Sequence, residues 1–451
     1  MKIIVCGAGE VGKAIIAGLW ETNDIVLIDQ NPELVENLYS TYDIQAIVGS
    51  ATSLNILSEA DIQKGDVFLA VTNSDEINII SSIMAKNLGA GYVFGRIRNP
   101  EYLEDVNFMH EAIGITQIVN PELDAAHVIK EIIRFPEATD IETFSGGDNQ
   151  IVGLRVDKDG LLDGKVLKEF GQKYGKKLLI CAVKRGEEVI IPNGSFRMES
   201  GDNIYVTGTP ESIKNLFGDA VMNENSIKNI LIIGGGTLTH YLLADLIPLK
   251  RYYIKVIEED YQKAEKLALD YPDIDVIHGD GSDQRLLDLE GFENYDAVIC
   301  TKKIDEENIV ISSYAKYKKI PKIITKVDQP SLLKPLSYLG LDTIITPKNI
   351  LADKIIALTR NLKATINSSI TSYHSLLDNA VEAIEFEILK ESDITKMNLN
   401  DLNLLDNTLL IGIQRNGTHI IPTGKDIIQV GDRVTIVTKH QFITDIEDFV
   451  V

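Results

Sequence analysis

The sequence has 451 residues, of which 44% are hydrophobic and 25% charged, so it is a globular chain too long for a single hydrophobic core. Its net charge of -23 repels the phosphates of nucleic acids and of anionic lipids, which makes nucleic acid an unexpected partner. No apolar run approaches the roughly 18 residues of a membrane span, and no signal sequence precedes the first strand-like run. We therefore expect a cytosolic protein that does not itself cross a membrane.

Residues 1 to about 120 alternate short β-branched runs with helical patterns, which predicts a parallel sheet with crossover helices. The runs are IIVCG, DIVLID, IQAIVG, VFLAVT, YVFGRI and TQIVN. From about 140 to 220 the runs IVGLRVD, LLICAVKR, EVIIPN and NIYVTG are separated by turn signals, which predicts a small antiparallel sheet with a helix or two. The boundary between these two patterns of predicted elements is marked by Pro136 and by the pair Gly146 and Gly147.

The same plan occurs a second time along the chain. KIIVCGAG near the start matches NILIIGGG, with Gly9 and Gly236 offset by 227 residues. Later landmarks, among them GSATSLNIL and GDGSDQRLL, are offset by 230 residues, as are the turn segments IIPNG and IIPTG. An internal match of this length indicates a tandem duplication.

The sequence therefore predicts an α/β protein of four domains. Two Rossmann-like, doubly wound parallel-sheet domains span residues 1–122 and 228–347, and each is followed by a small α+β domain, at 138–220 and 370–451. The three cysteines, Cys6, Cys181 and Cys300, lie in apolar runs without metal-ligand spacing, so we expect buried thiols and no metal site.

Three glycines follow the first strand in the spacing G-x-G-x-x-G. Gly7 permits a tight turn, Gly9 lets the backbone approach a pyrophosphate, and Gly12 lets the next helix pack closely on the sheet. Asp29 ends the second strand, where a carboxylate binds both hydroxyls of an adenosine ribose and disfavours a 2'-phosphate. The pattern predicts a site for NAD or another nucleotide with an unphosphorylated ribose.

More polar groups follow the other strands, and the carboxyl ends of parallel strands meet at one edge of a sheet. An arginine with two parallel donors suits a diphosphate, although solvation at the surface or an interface salt bridge explains an arginine pair as well. The residues at these strand ends are Gly49, Ser50, Thr72, Asn73, Arg96 and Arg98.

The second copy keeps the glycine turn but changes its surroundings. Thr239 stands at the third glycine position, and Glu258 replaces the ribose aspartate. Lys326 and Asp328 replace the two arginines, and a carboxylate facing phosphates is unfavourable. We expect this second site to bind a nucleotide more weakly, or a different nucleotide.

We find no catalytic constellation in the sequence. The histidines show no pairing, and no G-x-S-x-G, H-E-x-x-H, C-x-x-C or Walker lysine is present. Hydride transfer needs an acid or base beside the cofactor. The residues therefore favour a ligand-responsive binding protein that is not an enzyme, with an NAD-dependent oxidoreductase of Rossmann fold as the alternative.

The motifs GAGEVG, IDQNPE, LAVTNSDEIN and RIRNPEY, in a chain that repeats its two-domain plan, resemble the TrkA family over essentially the full length. This family comprises peripheral regulatory subunits of bacterial Trk potassium uptake systems, built from two RCK repeats of a KTN and a TrkA-C domain. The resemblance implies Rossmann-like domains that bind NAD(H) or ATP/ADP and C-terminal domains that dimerise. It also implies a homo-oligomeric ring, of a dimer or tetramer, under the cytoplasmic face of the inner (plasma) membrane, with an integral potassium-translocating subunit of the TrkH or KtrB type as partner.

The resemblance also implies which residues hold the two nucleotides. Those for the first are Gly7, Ala8, Gly9, Glu10, Val11, Gly12, Asp29, Thr72, Asn73 and Arg96, and those for the second are Gly234, Gly235, Gly236, Thr237, Leu238 and Glu258.

Two further functions can be weighed from the sequence, cyclic di-AMP binding by the small domains and a role as the soluble tail of a channel. Related C-terminal domains bind cyclic di-AMP between subunits, although the IIPNG and IIPTG segments are equally well explained as a strand and a turn. The soluble tail of a ligand-gated channel is disfavoured, because the sequence starts directly at the first strand and has no membrane segment.

Overall fold

A computed structural model describes residues 1–103, 114–136, 138–144, 149–174, 177–186, 188–220, 227–329, 332, 336, 339–341, 343–362, 368–377, 380–440, 443 and 445–450. Gly146 and Gly147, which mark a boundary in the sequence, lie outside these residues. The chain forms two compact units. The first comprises Met1–His127, Asn229–Leu341 and Ile345–Thr359, and the second comprises Val128–Lys228, Asp342–Ile344 and Arg360–Val451.

The first sheet is parallel, and its strand order is β3-β2-β1-β4-β5-β6. The order reverses between β1 and β4, which creates a crevice at their carboxyl ends. The strands are β1 Lys2–Cys6, β2 Asp24–Asp29, β3 Gln45–Val48, β4 Val67–Ala70, β5 Tyr92–Arg96 and β6 Gln117–Val119. The helices are α1 Glu10–Leu19, α2 Pro32–Thr41, α3 Leu54–Glu59, α4 Asp75–Leu88 and α5 Pro121–Arg134.

Local sequence signals explain where these elements begin and why the sheet is buried. Asn31 caps α2, because its Oδ1 accepts the N–H groups of Glu33 and Leu34. Ser74 caps α4, which ends at Gly89 in the left-handed conformation. Residues of β1, β2 and β4 are almost entirely buried, since helices cover both faces of a parallel sheet.

The next sheet along the chain is antiparallel, with the order β10-β9-β11-β8-β7. Its strands are β7 Asp140–Phe144, β8 Asn149–Arg155, β9 Leu178–Arg185, β10 Glu188–Ile190 and β11 Asn203–Gly208, with helices α6 Leu167–Tyr174 and α7 Pro210–Ala220. β7 comes from the segment that the sequence analysis treated as a domain boundary.

The third sheet repeats the first, with the order β14-β13-β12-β15-β16-β17. Its strands are β12 Asn229–Ile233, β13 Tyr253–Glu258, β14 Asp275–His278, β15 Ala297–Cys300, β16 Lys322–Lys326 and β17 Ile344–Ile345. Its helices are α8 Thr237–Leu246, α9 Tyr261–Asp270, α10 Gln284–Leu289, α11 Asp305–Tyr317 and α12 Pro347–Leu362.

The fourth sheet repeats the second, with the order β18-β19-β22-β20-β21. Its strands are β18 Ser368–Leu376, β19 Val381–Ile388, β20 Thr408–Arg415, β21 Thr418–Ile420 and β22 Arg433–Thr438. The predicted fold class, two doubly wound parallel sheets each followed by a small α+β region, is confirmed. No helix within the described ranges has both the length and the apolar character that a bilayer span requires.

The two antiparallel sheets share one hydrophobic core in the second unit. Phe144, Cys181 and Tyr205 of the earlier sheet pack in one cluster with Leu376 and Val437 of the later sheet. Burial of this apolar surface holds the two small domains against each other, because their inner faces are otherwise exposed to water.

A repeated ion pair supports each antiparallel sheet. Arg415 donates from Nε and NH2 to the two carboxylate oxygens of Asp432, at 2.8 and 2.6 Å, and Asp432 is buried. Arg185 and Asp202 form the same two hydrogen bonds, both 2.8 Å long, at positions offset by 230 residues. Bidentate arginine pairs of this kind fix both groups in one geometry.

Replacing Asp432 with alanine should lower the free energy of unfolding by about 2 kcal/mol, because Arg415 loses its bidentate partner and the N–H of Gln429 loses an acceptor. Calorimetric unfolding measures the change. Asp432→Asn, which keeps one acceptor, should cost less, and Asp202→Ala should cost about as much as Asp432→Ala. A loss in only one of the two sheets would contradict their equivalence.

The stability of the second unit should also depend on the ionisation of Asp140. Burial and the neighbouring Glu142 raise the pKa of Asp140 from 3.8 to about 7. Glu142 Oε2 in turn lies 2.5 Å from Nδ1 of His374 on β18. Between about pH 4 and pH 7 the folded state therefore holds a proton that the unfolded state has lost, so stability from this group is lost as the pH rises.

Asp140→Asn cannot ionise, so its thermal midpoint should rise relative to that of the native chain as the pH increases from 5 to about 7.5. Thermal unfolding of both chains across this range gives the difference. Parallel profiles would show that the carboxyl of Asp140 keeps an ordinary pKa in the folded state.

Candidate nucleotide site

The glycine turn after β1 leaves open space beside the start of α1. Gly7 adopts a φ of 119°, and a Cβ on it would lie 3.0 Å from the backbone of Val71 and Thr72. A Cβ on Gly12 would clash with the carbonyl oxygen of Gly7, so only glycine lets α1 pack this closely. A Cβ on Gly9 would meet nothing within 4 Å. Glu10, Val11 and Gly12 begin the helix, and first-turn N–H groups have no partner within a helix.

Asp29 ties the glycine turn to the loop after β2. Its Oδ2 accepts the N–H of Ala8 at 2.6 Å, and its Oδ1 accepts the N–H of Asn31 at 2.8 Å. The N–H of Gly49, after β3, donates to the carbonyl of Asp29 at 2.8 Å. A carboxylate has about four acceptor positions, so each oxygen of Asp29 keeps one for a further donor. Ser50 lies beside Gly49, with its hydroxyl 2.9 Å from that of Thr52.

A buried asparagine fixes the other side of the crevice. Asn78 Oδ1 accepts the N–H and the hydroxyl of Thr72 at 2.9 and 2.7 Å. Its Nδ2 donates to the carbonyl of Arg96 at 2.8 Å. Asn78 therefore joins the ends of β4 and β5, although the sequence analysis did not identify it.

Arg98 supports the loop after β4 rather than standing free. Asp75 Oδ2 accepts the N–H groups of Arg98 and Asn99, each at 2.8 Å, and Asp75 Oδ1 accepts Nε of Arg98 at 3.1 Å. Arg98 NH2 donates to the carbonyl of Asn73 at 2.5 Å. Arg98 therefore forms a salt bridge with Asp75 of its own domain, and not with an interface.

Arg96 is buried, with 4% of its side chain exposed. Its NH2 lies 3.7 Å from Oε1 of Glu122, and within the described residues neither its Nε nor Glu122 Oε2 has a hydrogen-bond partner. Burial lowers the pKa of Arg96 and raises that of Glu122. An unpartnered buried donor costs about 1–3 kcal/mol, which a ligand oxygen that accepts from it would recover.

The second crevice has the same backbone with different side chains. Gly234 has a φ of 111°, and the N–H of Gly235 donates to Oε2 of Glu258 at 2.5 Å. Glu258 is buried, whereas Asp29 is half-buried. α8 begins at Thr237, and Leu238 points into the core.

The second crevice also differs from the first at Thr239 and at the Lys326–Asp328 pair at the end of β16. Thr239 is buried and donates its hydroxyl to the carbonyl of Gly234 at 2.5 Å, in the place where the first copy has a glycine. Lys326, which stands where the first copy has Arg96, pairs through Nζ with Oδ2 of Asp328 at 2.7 Å, and Nζ of Lys348 lies 3.7 Å from the same oxygen. These residues fit an anionic ligand less well than those of the first crevice.

The structure thus brings the predicted residues of each copy to the carboxyl edge of its own sheet. Sequence reasoning missed the residues that support this edge. They are Asp75, Asn78 and Glu122 in the first copy and Lys302, Asp305 and Asn308 in the second. Only two pairs of them, Asp75 with Asp305 and Asn78 with Asn308, gave a signal, by recurring at the 230-residue offset. No group of three or more His, Cys, Asp or Glu side chains in the described ranges is arranged to hold a metal ion.

Comparison with known proteins decides the family. The sequence matches the TrkA-N domain over residues 3–121 and 230–347, which is more than half of the chain, and the TrkA-C domain over residues 151–218 and 383–450. The chain belongs to the TrkA family. Both glycine turns lie in the segments that match TrkA-N.

A relative and two solved structures agree with this assignment. The Trk system potassium uptake protein TrkA homolog of Archaeoglobus fulgidus is 27% identical over 448 residues, which cover 99% of each chain. The GsuK RCK domain has a TM-score of 0.61 at 17% identity and covers 97% of this chain and 92% of that one. The GsuK channel bound to NAD has a TM-score of 0.61 at 17% identity, and the match covers 97% of this chain and 76% of that one. At this identity the two structures show the fold alone.

Alanine at two glycines of this TrkA-family turn should differ in its effect on the free energy of unfolding. Gly12→Ala should lower the free energy of unfolding by about 1–3 kcal/mol, because the new Cβ must push α1 away from Gly7. Gly9→Ala should leave it nearly unchanged, because φ is -69° and the surrounding space is open. Thermal unfolding of both variants tests the geometry, and equal losses would contradict it.

Proposed function

We propose that this chain is a nucleotide-sensing regulatory subunit of a Trk-type potassium uptake system and that it is not an enzyme. The observation that carries the proposal is the first crevice, where an open glycine turn, a half-buried carboxylate and a buried arginine meet at the edge of a parallel sheet. Open α/β sheets bind their ligands at this edge.

The first crevice suits an adenine nucleotide with an unmodified ribose. Asp29 keeps one acceptor position on each carboxylate oxygen after its bonds to Ala8 and Asn31, and a ribose offers two adjacent hydroxyls. A 2'-phosphate would place negative charge against this carboxylate, which disfavours NADP. NAD(H) is the first candidate ligand and ATP or ADP the second.

The same crevice suits a diphosphate. The first-turn N–H groups of α1, beginning at Glu10, form the positive end of a helix, which attracts phosphate. The open space at Gly9 lets a phosphate approach the backbone. Nε of Arg96 is the nearby cationic donor without a hydrogen-bond partner among the described residues. The rest of the ligand would contact the other strand-end residues of this crevice, which are Gly49, Ser50, Thr72 and Asn73.

Membership of the TrkA family supports a proposal for the partner and the location. The relative from Archaeoglobus fulgidus is named as a potassium uptake protein of the Trk system. We infer that this chain acts as a homo-oligomer on the cytoplasmic face of the membrane, against an integral potassium-translocating subunit of the TrkH or KtrB type. Binding of cyclic di-AMP by the small domains stays a prediction from the resemblance.

Regulation would arise from differential binding. A nucleotide shifts an assembly between two shapes only by the difference in its affinity for them, typically about 1–3 kcal/mol per site. Several copies acting on one pore add their contributions. An oxidoreductase would instead turn over, so loss of NADH absorbance with a crude extract as substrate source would favour that alternative.

Asp29→Ala should weaken nucleotide binding about 10–100-fold, because hydrogen bonds to a charged group contribute about 1.5–3 kcal/mol. Calorimetric titration with NADH, NAD, ATP and ADP measures the affinity. Asp29→Asn serves as a second variant, because its amide oxygen still accepts the N–H of Ala8. Asp24→Ala, at the exposed opposite end of β2, is the matched control and should bind as the native chain does.

Potassium uptake by cells that contain a Trk transporter but lack its regulatory subunit tests the rest of the proposal. The native chain should make uptake depend on the nucleotide, and Asp29→Ala should remove that dependence. Unchanged affinity in folded Asp29→Ala would reject the site, and nucleotide binding without any effect on uptake would reject the regulatory role.

A further inference from the structure

A buried lysine lies at the mouth of the second crevice. Only 8% of the side chain of Lys302 is exposed, and its Nζ lies 2.9 Å from Asp280, 3.0 Å from Glu259 and 2.7 Å from Glu307. Burial by itself would lower the pKa of Lys302, but hydrogen bonds to these carboxylates outweigh it and raise the pKa. The lysine is therefore a fixed cation with three carboxylate partners.

The sheet order shows which space this side chain crosses. Lys302 follows β15, whereas Glu259 follows β13 and Asp280 follows β14. β12 lies between β15 and β13, so the lysine passes over the carboxyl end of β12, where the glycine turn begins. Glu259 is the neighbour of Glu258, the counterpart of the ribose-binding aspartate. Lys302 therefore lies where the adenosine half of a nucleotide would bind.

In the first crevice, the positions equivalent to Lys302 and its three carboxylate partners all hold uncharged residues. Asn78 Oδ1 accepts the N–H of Thr72, and Asn308 Oδ1 accepts the N–H of Lys302, each at 2.9 Å. Thr72 and Lys302 are therefore equivalent positions in the two copies. Ser50 corresponds to Asp280 and Ile77 to Glu307 at the 230-residue offset. Gln30 corresponds to Glu259, because each follows the carboxylate that accepts the N–H two residues on, from Asn31 and from Asp260. The lysine and its three carboxylates are therefore particular to the second copy and are not part of the shared fold.

The electrostatics of the second crevice also oppose a nucleotide. Lys302 and its three partners carry a net charge of -2, and the buried Glu258 adds another negative charge beside them. A nucleotide that displaced Lys302 would separate it from these carboxylates and bring its own phosphates among them. Lys326 and Lys348 at this edge are already paired with Asp328, at 2.7 and 3.7 Å.

We propose that Lys302 closes the second crevice to adenine nucleotides by occupying the adenosine position, so that the chain binds one nucleotide, in its first half. The inference rests on the proposed function of the first crevice. It makes Lys302, Glu259, Asp280 and Glu307 the residues that decide which half of the duplicated chain senses the ligand.

The first experiment measures binding stoichiometry by calorimetry, with NADH and ADP as probes. The native chain should bind one nucleotide per chain, and Asp29→Ala should bind that nucleotide about 10–100-fold more weakly. A second nucleotide that remains in Asp29→Ala and is lost in the double variant Asp29→Ala, Glu258→Ala would overturn the inference. Absence of any binding by the native chain would instead reject the proposed function.

The second experiment opens the second crevice in the Asp29→Ala background, in which binding to the first crevice is weakened. Transfer of the first-copy residues, as Lys302→Thr with Glu259→Gln, Asp280→Ser and Glu307→Ile, should create a site at least ten-fold tighter than any residual binding. The matched control carries Lys303→Thr in place of Lys302→Thr and keeps the other three substitutions, because Lys303 is the exposed neighbour of Lys302 and the total charge then changes equally. A grafted chain that unfolds at the same temperature yet gains no binding would overturn the inference, whether or not the native chain binds.

Discussion

The carboxylate at the end of the second strand ties together the edge on which each crevice is built. Asp29 holds the N–H of Ala8 and the N–H of Asn31, and Glu258 holds the equivalent N–H groups of Gly235 and Asp260. Each acid therefore fixes the glycine turn to the neighbouring loop through hydrogen bonds that the chain makes to itself. A site assembled in this way needs little reorganisation on binding, which lowers the entropic cost of ordering loops.

The same tie has different consequences in the two halves because the surrounding side chains differ. Asp29 remains half-buried, so its free acceptor positions face the crevice, whereas Glu258 is buried beneath the loop that it holds. Gly12 brings its helix against the carbonyl of Gly7, whereas Thr239 satisfies the equivalent carbonyl with its own hydroxyl. One copy keeps the close approach that a phosphate needs, and the other uses the same space for internal contacts.

The sequence predicted the sheets better than the side chains that support the crevices. Periodicity and the repeat identified all six strands of the first sheet and the fold class, because β-branched runs and glycine turns are local signals. Asn78 and Lys302 escaped notice, since their roles depend on contacts between strand ends that only the folded sheet brings together. Arg98 was expected beside phosphate, yet its guanidinium is held by Asp75, a partner 23 residues away in sequence.

The two crevices are also mechanically connected within the first unit. Tyr241, on the helix that follows the second glycine turn, donates its hydroxyl to the carbonyl of Arg98 and accepts Nδ2 of Asn120, each at 2.9 Å. Arg98 in turn holds the loop at Asn73 in the first crevice. A closed, internally paired second half gives this contact a rigid base. Nucleotide binding in the first crevice alone would change the free energy of one Rossmann-like domain and not of the other. Such a one-sided change can shift the arrangement of the two domains about this contact, whereas equal binding in both crevices would affect the two domains alike.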